Sequence, residues 1–198
     1  IAKDSAFGFY YPDDLQALEN SGARLVYFDT LRDPKLPAVD ALLIGGGFPE
    51  TQMVALAENI GMRASIRHAI KSGIPAYAEC GGLMYLCKTL EWRGNKFDMV
   101  GAIDGHAVMN ERPQGRGYAR LRGASEFPAH EFHYASIHGL PDDTDFAYAV
   151  LRGQGIDGQH DGIKVNNLTA GFCHLRNTSE NPWAERFVEF VRAKKMPR

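Results

Sequence analysis

Cys80 stands between a short apolar run, Ile74-Pro-Ala-Tyr-Ala-Glu79, and Gly81-Gly82-Leu-Met-Tyr-Leu86, whose apolar spacing is helical. A strand that turns sharply into a helix holds its corner side chain out at the sheet edge. Glycines beside the corner allow the unusual backbone it needs. Sites in open parallel sheets also lie at the carboxyl ends of strands. A thiol so placed faces the unpaired N–H groups and positive dipole end of the helix, which favour the thiolate, the reactive form. The setting predicts Cys80 as a nucleophile. Cys87 and Cys173 lie in apolar runs without such a turn and read as small core residues.

A thiolate attacking a carbonyl builds negative charge on oxygen, which needs N–H donors fixed in advance. Ala41–Ile44 is a buried-strand pattern stopped by Gly45-Gly46-Gly47, a turn whose bare backbone could approach a substrate. Gly46 and Gly47 are candidate donors there, and Gly81 is another, directly after the cysteine. Taken alone, the glycine turn is equally a plain strand-to-helix connection. It is a poor phosphate cradle, since neither the dinucleotide fingerprint nor the P-loop pattern is present.

A cysteine nucleophile works with a histidine that polarises the thiol and protonates the leaving amine. Of seven histidines, His174 closes the apolar run Thr169-Ala-Gly-Phe-Cys173, where a parallel sheet could bring it beside Cys80. A histidine ending such a strand is as often structural. His130-Glu-Phe-His133 lacks the spacing of a helical zinc motif, and a strand would put its histidines on opposite faces. No ligand set completes a metal site, so none is expected, and that segment reads as a binding or interface surface. His68 and His160 read as solvated.

The elements that would position these groups alternate in the first half of the chain. Ile1–Lys3, Arg24–Phe28, Ala41–Ile44 and Ile74–Ala78 have strand character. Helical signals cover Pro12–Asn20, Thr51–Asn59, Arg63–Ser72 and Gly82–Lys88. After Trp92 the texture becomes short strands: Met99–Val108, Gly117–Arg122, His130–Ile137, Phe146–Arg152 and Ile163–Val165. Leu168–Leu175 is expected to return to the main sheet. Pro182–Lys194 is an amphipathic helix with Trp183, Phe187, Phe190 and Val191 on one side. The pattern predicts one α/β domain with a mostly parallel sheet, helices on both faces and a β-rich insertion.

Composition narrows the class. With 198 residues, 44% hydrophobic and 23% charged, the chain fits one globular domain. A formal charge of −2 gives no reason to expect nucleic acid or a membrane surface as partner. No apolar run approaches the length of a membrane span, and three cysteines suggest free thiols in a reducing compartment, the cytoplasm. The opening Ile1-Ala-Lys-Asp4, apolar at once and without Met, suits a domain with further sequence upstream.

With these pieces located, the chain resembles the glutaminase domain of the cobyrinic acid a,c-diamide synthase family. The matching residues include Ala6-Phe-Gly-Phe-Tyr-Tyr-Pro12, Gly45-Gly-Gly-Phe-Pro-Glu50, Tyr77-Ala-Glu-Cys-Gly-Gly-Leu-Met-Tyr-Leu86, Gly117-Tyr118, His130-Glu-Phe-His-Tyr134 and the segment at His174. The resemblance covers residues 1–198. It implies a flavodoxin-like class I glutamine amidotransferase fold, joined in the family to an amino-terminal ATP-binding synthetase domain. Glutamine would be hydrolysed through a thioester. Its ammonia would amidate the a and c carboxylates of a tetrapyrrole in cobalamin biosynthesis. ATP and magnesium would belong to the synthetase domain, with no cofactor here. The resemblance implies Cys80 as nucleophile, His174 as base, and Gly46, Gly47 and Gly81 at the oxyanion turn. A homodimer stays open.

The departures are specific. The family commonly reads His-Leu-His-Phe where this chain has His174-Leu-Arg176-Asn177, and many class I glutaminases carry a glutamate where Arg176 stands. Residue types alone identify no group to orient His174. Three rival readings follow: a catalytically impaired docking or regulatory module, an amidase for sirohaem or a related tetrapyrrole, and a cysteine peptidase on a related sheet.

Overall fold

The computed structural model describes residues 1–195. In chain order, the first half forms β1 (Phe7–Phe9), α1 (Pro12–Asn20), β2 (Leu42–Ile44) and β3 (Gly46–Gly47). A 3-10 turn (Pro49–Gln52) leads into α2 (Met53–Glu58), α3 (Ile60–Lys71), β4 (Ala76–Glu79) and α4 (Gly81–Leu86). The second half adds β5 (Thr89–Trp92), β6 (Asn95–Asp98), β7 (His106–Met109), β8 (Gly115–Arg122) and β9 (Glu126–His133). It continues with β10 (Ala135–His138), β11 (Phe146–Arg152), β12 (His160–Val165), β13 (Leu168–Gly171), β14 (His174–Leu175) and α5 (Trp183–Lys194).

Local chemistry explains the helix boundaries. Pro12 opens α1, Asp13 and Asp14 complement its dipole, and Gly22 follows it with a positive φ of 92°. The Asn59 side chain caps α3 by accepting from the Met62 N–H.

Alternation along β2 and β4 decides which helices cover which face. Leu42, Ile44, Ala76 and Ala78 join a core with Leu56, Met62, Ile66 and Ile70 of α2 and α3 and with Leu83 and Leu86 of α4. Leu43 and Tyr77 point the other way, onto Leu18 of α1 and Trp183, Ala184 and Val188 of α5. Helices therefore cover both faces of β2 and β4, as the pattern predicts. Along α5, Phe190 is 37% exposed, while Ala184 and Val188 take the buried positions.

The main sheet has eight strands in the order β14-β9-β8-β11-β12-β13-β4-β2. Only β13–β4 and β4–β2 run parallel; the other pairs are antiparallel. The expectation of a mostly parallel sheet is corrected to a mixed one, parallel where the nucleophile strand lies. Side-chain alternation is the same in both directions, so it could not decide this.

The insertion is a second sheet, β10-β7-β5-β6. It contains the hairpin Thr89–Asp98, whose turn is made by Arg93 and Gly94, both at positive φ. The run expected at Met99–Val108 shrinks to His106–Met109. The run expected at His130–Ile137 breaks at Tyr134, β9 joining one sheet and β10 the other. Arg24–Phe28 and Ile1–Lys3 meet through the parallel bridge Ala2–Phe28 rather than as full strands. No helix among the described residues is long and apolar enough to cross a membrane.

Candidate active site

Cys80 occupies the corner between β4 and α4 with φ 48° and ψ −103°, a left-handed backbone that ordinary residues avoid. The next two positions admit no side chain. A Cβ on Gly81 would lie 3.0 Å from the Gly47 backbone nitrogen, and one on Gly82 would strike the Ile44 carbonyl. The Gly82 N–H donates to the Gly45 carbonyl at 3.1 Å, stitching the start of α4 to the glycine turn. The Cys80 side chain is 9% exposed, and its sulfur lies 3.9 Å from the Phe132 carbonyl.

The glycine turn is held from behind. The Tyr10 hydroxyl accepts the Gly45 N–H at 3.0 Å and donates to the Ala2 carbonyl. Gly47 and Gly46 form β3, antiparallel to Phe7 and Phe9 of β1. A Cβ on Gly46 would fall 2.8 Å from His174 Cε1. The five residues singled out from sequence thus meet in one place: Cys80, His174, Gly46, Gly47 and Gly81. The Gly81 N–H, at the first helical position, has no acceptor within its helix.

His174 sits in β14, 4% exposed, with the Phe9 ring against it at a centroid distance of 5.2 Å. Burial alone favours its neutral form. Hydrogen bonds to the Cys80 sulfur and the Glu79 carboxylate, with their negative charges, outweigh burial and raise it to about 10.

Glu79 is the group that sequence reasoning missed. Its Oε2 lies 3.0 Å from His174 Nδ1, while Oε1 accepts the Leu175 N–H at 2.9 Å and the Tyr77 hydroxyl at 3.1 Å. Both oxygens are engaged, and the residue is 8% exposed. One signal was available: a carboxylate ending an apolar strand needs a partner. Arg176, two residues after His174, instead turns away. It pairs with Asp13 at 3.3 Å and stacks over the Tyr11 ring at 3.9 Å.

The other thiols differ in setting. Burial pushes Cys87 up to about 12 and raises Cys173 further, with Asp161 and Glu131 adding to the latter. His133 turns inward and stacks on Phe172 at 3.8 Å, away from His130. Among the described residues no group of three His, Cys, Asp or Glu is arranged to hold a metal ion.

A strained thiol at a helix start, an imidazole bonded to it, a carboxylate behind the imidazole and a glycine turn alongside suit acyl transfer through a thioester. The pattern of the CobB/CobQ-like glutamine amidotransferase domain matches residues 1–182. The chain belongs to that family. It is 42% identical to a cobyrinate a,c-diamide synthase of Magnetococcus marinus, over 96% of this chain and 43% of that protein. A protein of the same name from Archaeoglobus fulgidus is 42% identical over 98% of this chain and 44% of that protein. The domain thus spans less than half the length of these relatives.

Solved structures agree on the amidotransferase fold. PurLQS from Thermotoga maritima superposes with a TM-score of 0.71 at 15% identity, covering 98% of this chain and 97% of that one. A crystal structure of a glutamine amidotransferase gives 0.66 at 17% identity, covering 89% and 91%. At these identities the likeness concerns the fold alone.

Proposed function

We propose that this domain hydrolyses glutamine to glutamate and ammonia, and that the ammonia amidates carboxylates of cobyrinate or a closely similar tetrapyrrole. An ATP-dependent domain of the same protein or complex would activate those carboxylates. The observation that carries the reading is the chain Glu79–His174–Cys80, closed at one end by the Gly45–Gly47 turn.

In this reading the Cys80 thiolate adds to the side-chain amide carbon of glutamine. The Gly81 N–H, with donors of the Gly46–Gly47 strand, stabilises the oxyanion. His174 gives its proton to the departing nitrogen as the C–N bond breaks, releasing ammonia and leaving a thioester. Water, deprotonated by the now neutral His174, attacks the thioester carbon. The C–S bond then breaks, giving glutamate and restoring the thiolate–imidazolium pair. Glu79 keeps Nδ1 protonated so that the other ring nitrogen faces sulfur. ATP and magnesium would act in the other domain.

The carboxylate from β4 beside His174 supports this reading over that of an inactive docking module, despite Arg176. Glutamate release, measured with the ATP-dependent domain present, tests the assignment: Cys80→Ser should abolish it. A glutamine-like chloroketone should label Cys80 ahead of Cys87 and Cys173; labelling of either of those first would refute the nucleophile assignment. Peptide cleavage without glutamine turnover would favour the peptidase reading.

A further inference from the structure

His174 lies at one edge of an open sheet face that the mechanism leaves unused. Residues directly opposite one another on paired strands share a face. His174 is opposite His130, His130 opposite Tyr118, Arg116 opposite Phe132, Arg120 opposite Pro128 and Arg122 opposite Glu126. Arg152 of β11 is opposite Arg120. The reverse side of these strands carries Leu175, Ala129, Ala119, Phe127 and Leu121, all buried in the core with α1 and α5. On the outward side Arg116, Tyr118, Arg120 and Arg122 are all exposed in this domain.

Two properties mark this face. The first is a row of rings leading from the site: His174 to His130 at 6.1 Å, then His130 to Tyr118 at 6.5 Å, with Tyr118 79% exposed. The second is charge. Arg116, Arg120, Arg122 and Arg152 share the face, against one carboxylate at these positions, Glu126. Arg120 pairs with Glu126 at 3.3 Å; Arg116, Arg122 and Arg152 have no ion pair among the described residues. The chain as a whole carries −2, so the positive charge is local. From Arg116 to Arg122 the strand runs roughly 20 Å at about 3.4 Å per residue, enough to lie along a macrocycle and its side arms.

We propose that this face binds the tetrapyrrole polycarboxylate, with Tyr118 against the flat ring and the arginines holding its carboxylates. The proposal deepens the function given above and rests on it for the identity of the ligand. An exposed ring offers a stacking platform, and guanidinium forks match carboxylates. Continuity with His174 puts the acceptor at the mouth where ammonia forms, shortening its exposure to water and protonation.

The test is a visible-absorbance titration of the full-length protein with cobyrinate. Arg120→Gln/Arg122→Gln should weaken binding by about tenfold or more, and Tyr118→Ala by several-fold, while Arg32→Gln, outside the face, leaves it unchanged. These positions are solvent-facing, so the fold should survive. The wild-type affinity should also fall with added salt. Unchanged cobyrinate binding in the face variants would overturn the proposal. It would equally fail if they raised the KM for glutamine, or released the ATP-dependent domain, while cobyrinate binding stayed intact. Chloroketone labelling of Cys80 in the same preparations separates the two readings. A protein that binds cobyrinate through this face yet never reacts at Cys80 would lose the glutaminase reading and keep the binding site.

Discussion

The backbone N–H of Cys80 donates to the carbonyl of Gly171 at 2.8 Å, three residues before His174. Nucleophile and base therefore do not meet through side chains alone: the parallel pairing of β4 with β13 delivers both to one end of the sheet. The link continues through buried Asp161, whose carboxylate accepts the N–H groups of Phe172 at 2.9 Å and Cys173 at 3.0 Å. A Cβ on Gly171 would lie 2.7 Å from that carboxylate, so the bare backbone there is required.

Asp161→Asn should therefore loosen the turn that carries His174. Losing one buried acceptor and placing an amide donor against one of the two N–H groups should cost about 1–3 kcal/mol. Chemical denaturation reads the stability. Slower alkylation of Cys80 in the folded variant would report the displaced imidazole; a variant as stable and as reactive as wild type would contradict this account of the turn.

Glu79→Gln tests the orienting carboxylate. Glutaminase kcat should fall by about 10²-fold or more, because the wrong tautomer of His174 becomes accessible. The KM for glutamine should move little. Arg176→Ala, which removes the pairings with Asp13 and Asp14 and the stacking on Tyr11 but no contact with His174, should leave kcat within a few-fold of wild type. If the two variants behaved alike, Glu79 would not be the partner that matters.

His174 ties stability to pH. Its value, raised to about 10 from an ordinary 6.5, means that folding favours the protonated ring. That contribution is complete below about pH 6.5 and is lost as pH rises through about 10. Denaturation midpoints should decline across this window. In Glu79→Gln the decline should be smaller and should end at lower pH, since one source of the raised value is gone. NMR titration of the His174 ring provides the direct check.

Gly46→Ala probes the contact between the glycine strand and the base. The new methyl would press on His174 Cε1 and on the Phe9 ring, so the imidazole must shift. A displacement near 1 Å can cost on the order of 10²-fold in rate. Turnover should fall by that order while the thermal midpoint drops only modestly. An unimpaired Gly46→Ala enzyme would mean that the strand gives way without disturbing the base.

Legibility from sequence followed the range of the interactions. The elbow was readable because strand, corner and glycines are contiguous, and α1 because Pro12, the aspartates and Gly22 are local signals. His174 could be picked from an apolar strand but not paired, since its partner in the turn lies 95 positions away. Glu79 was hidden in plain view: next to the nucleophile, it read as part of the elbow rather than as a partner of a remote imidazole. Strand direction in the second half was unreadable, because hairpin and crossover strands share the same alternation. The break at Tyr134 was missed for a related reason, as β-rich texture runs unbroken while the chain changes sheets.

Glu79 and Cys80 are consecutive, so a single segment of four strand residues and a corner sets both the thiol and the aim of its base. Were β4 to pair with β2 and β13 one position out of step, the carboxylate would swing to the opposite side and the sulfur would leave its corner together with it. Misassembled copies would thus be wholly inert rather than half-working, and such chains would release no stray ammonia.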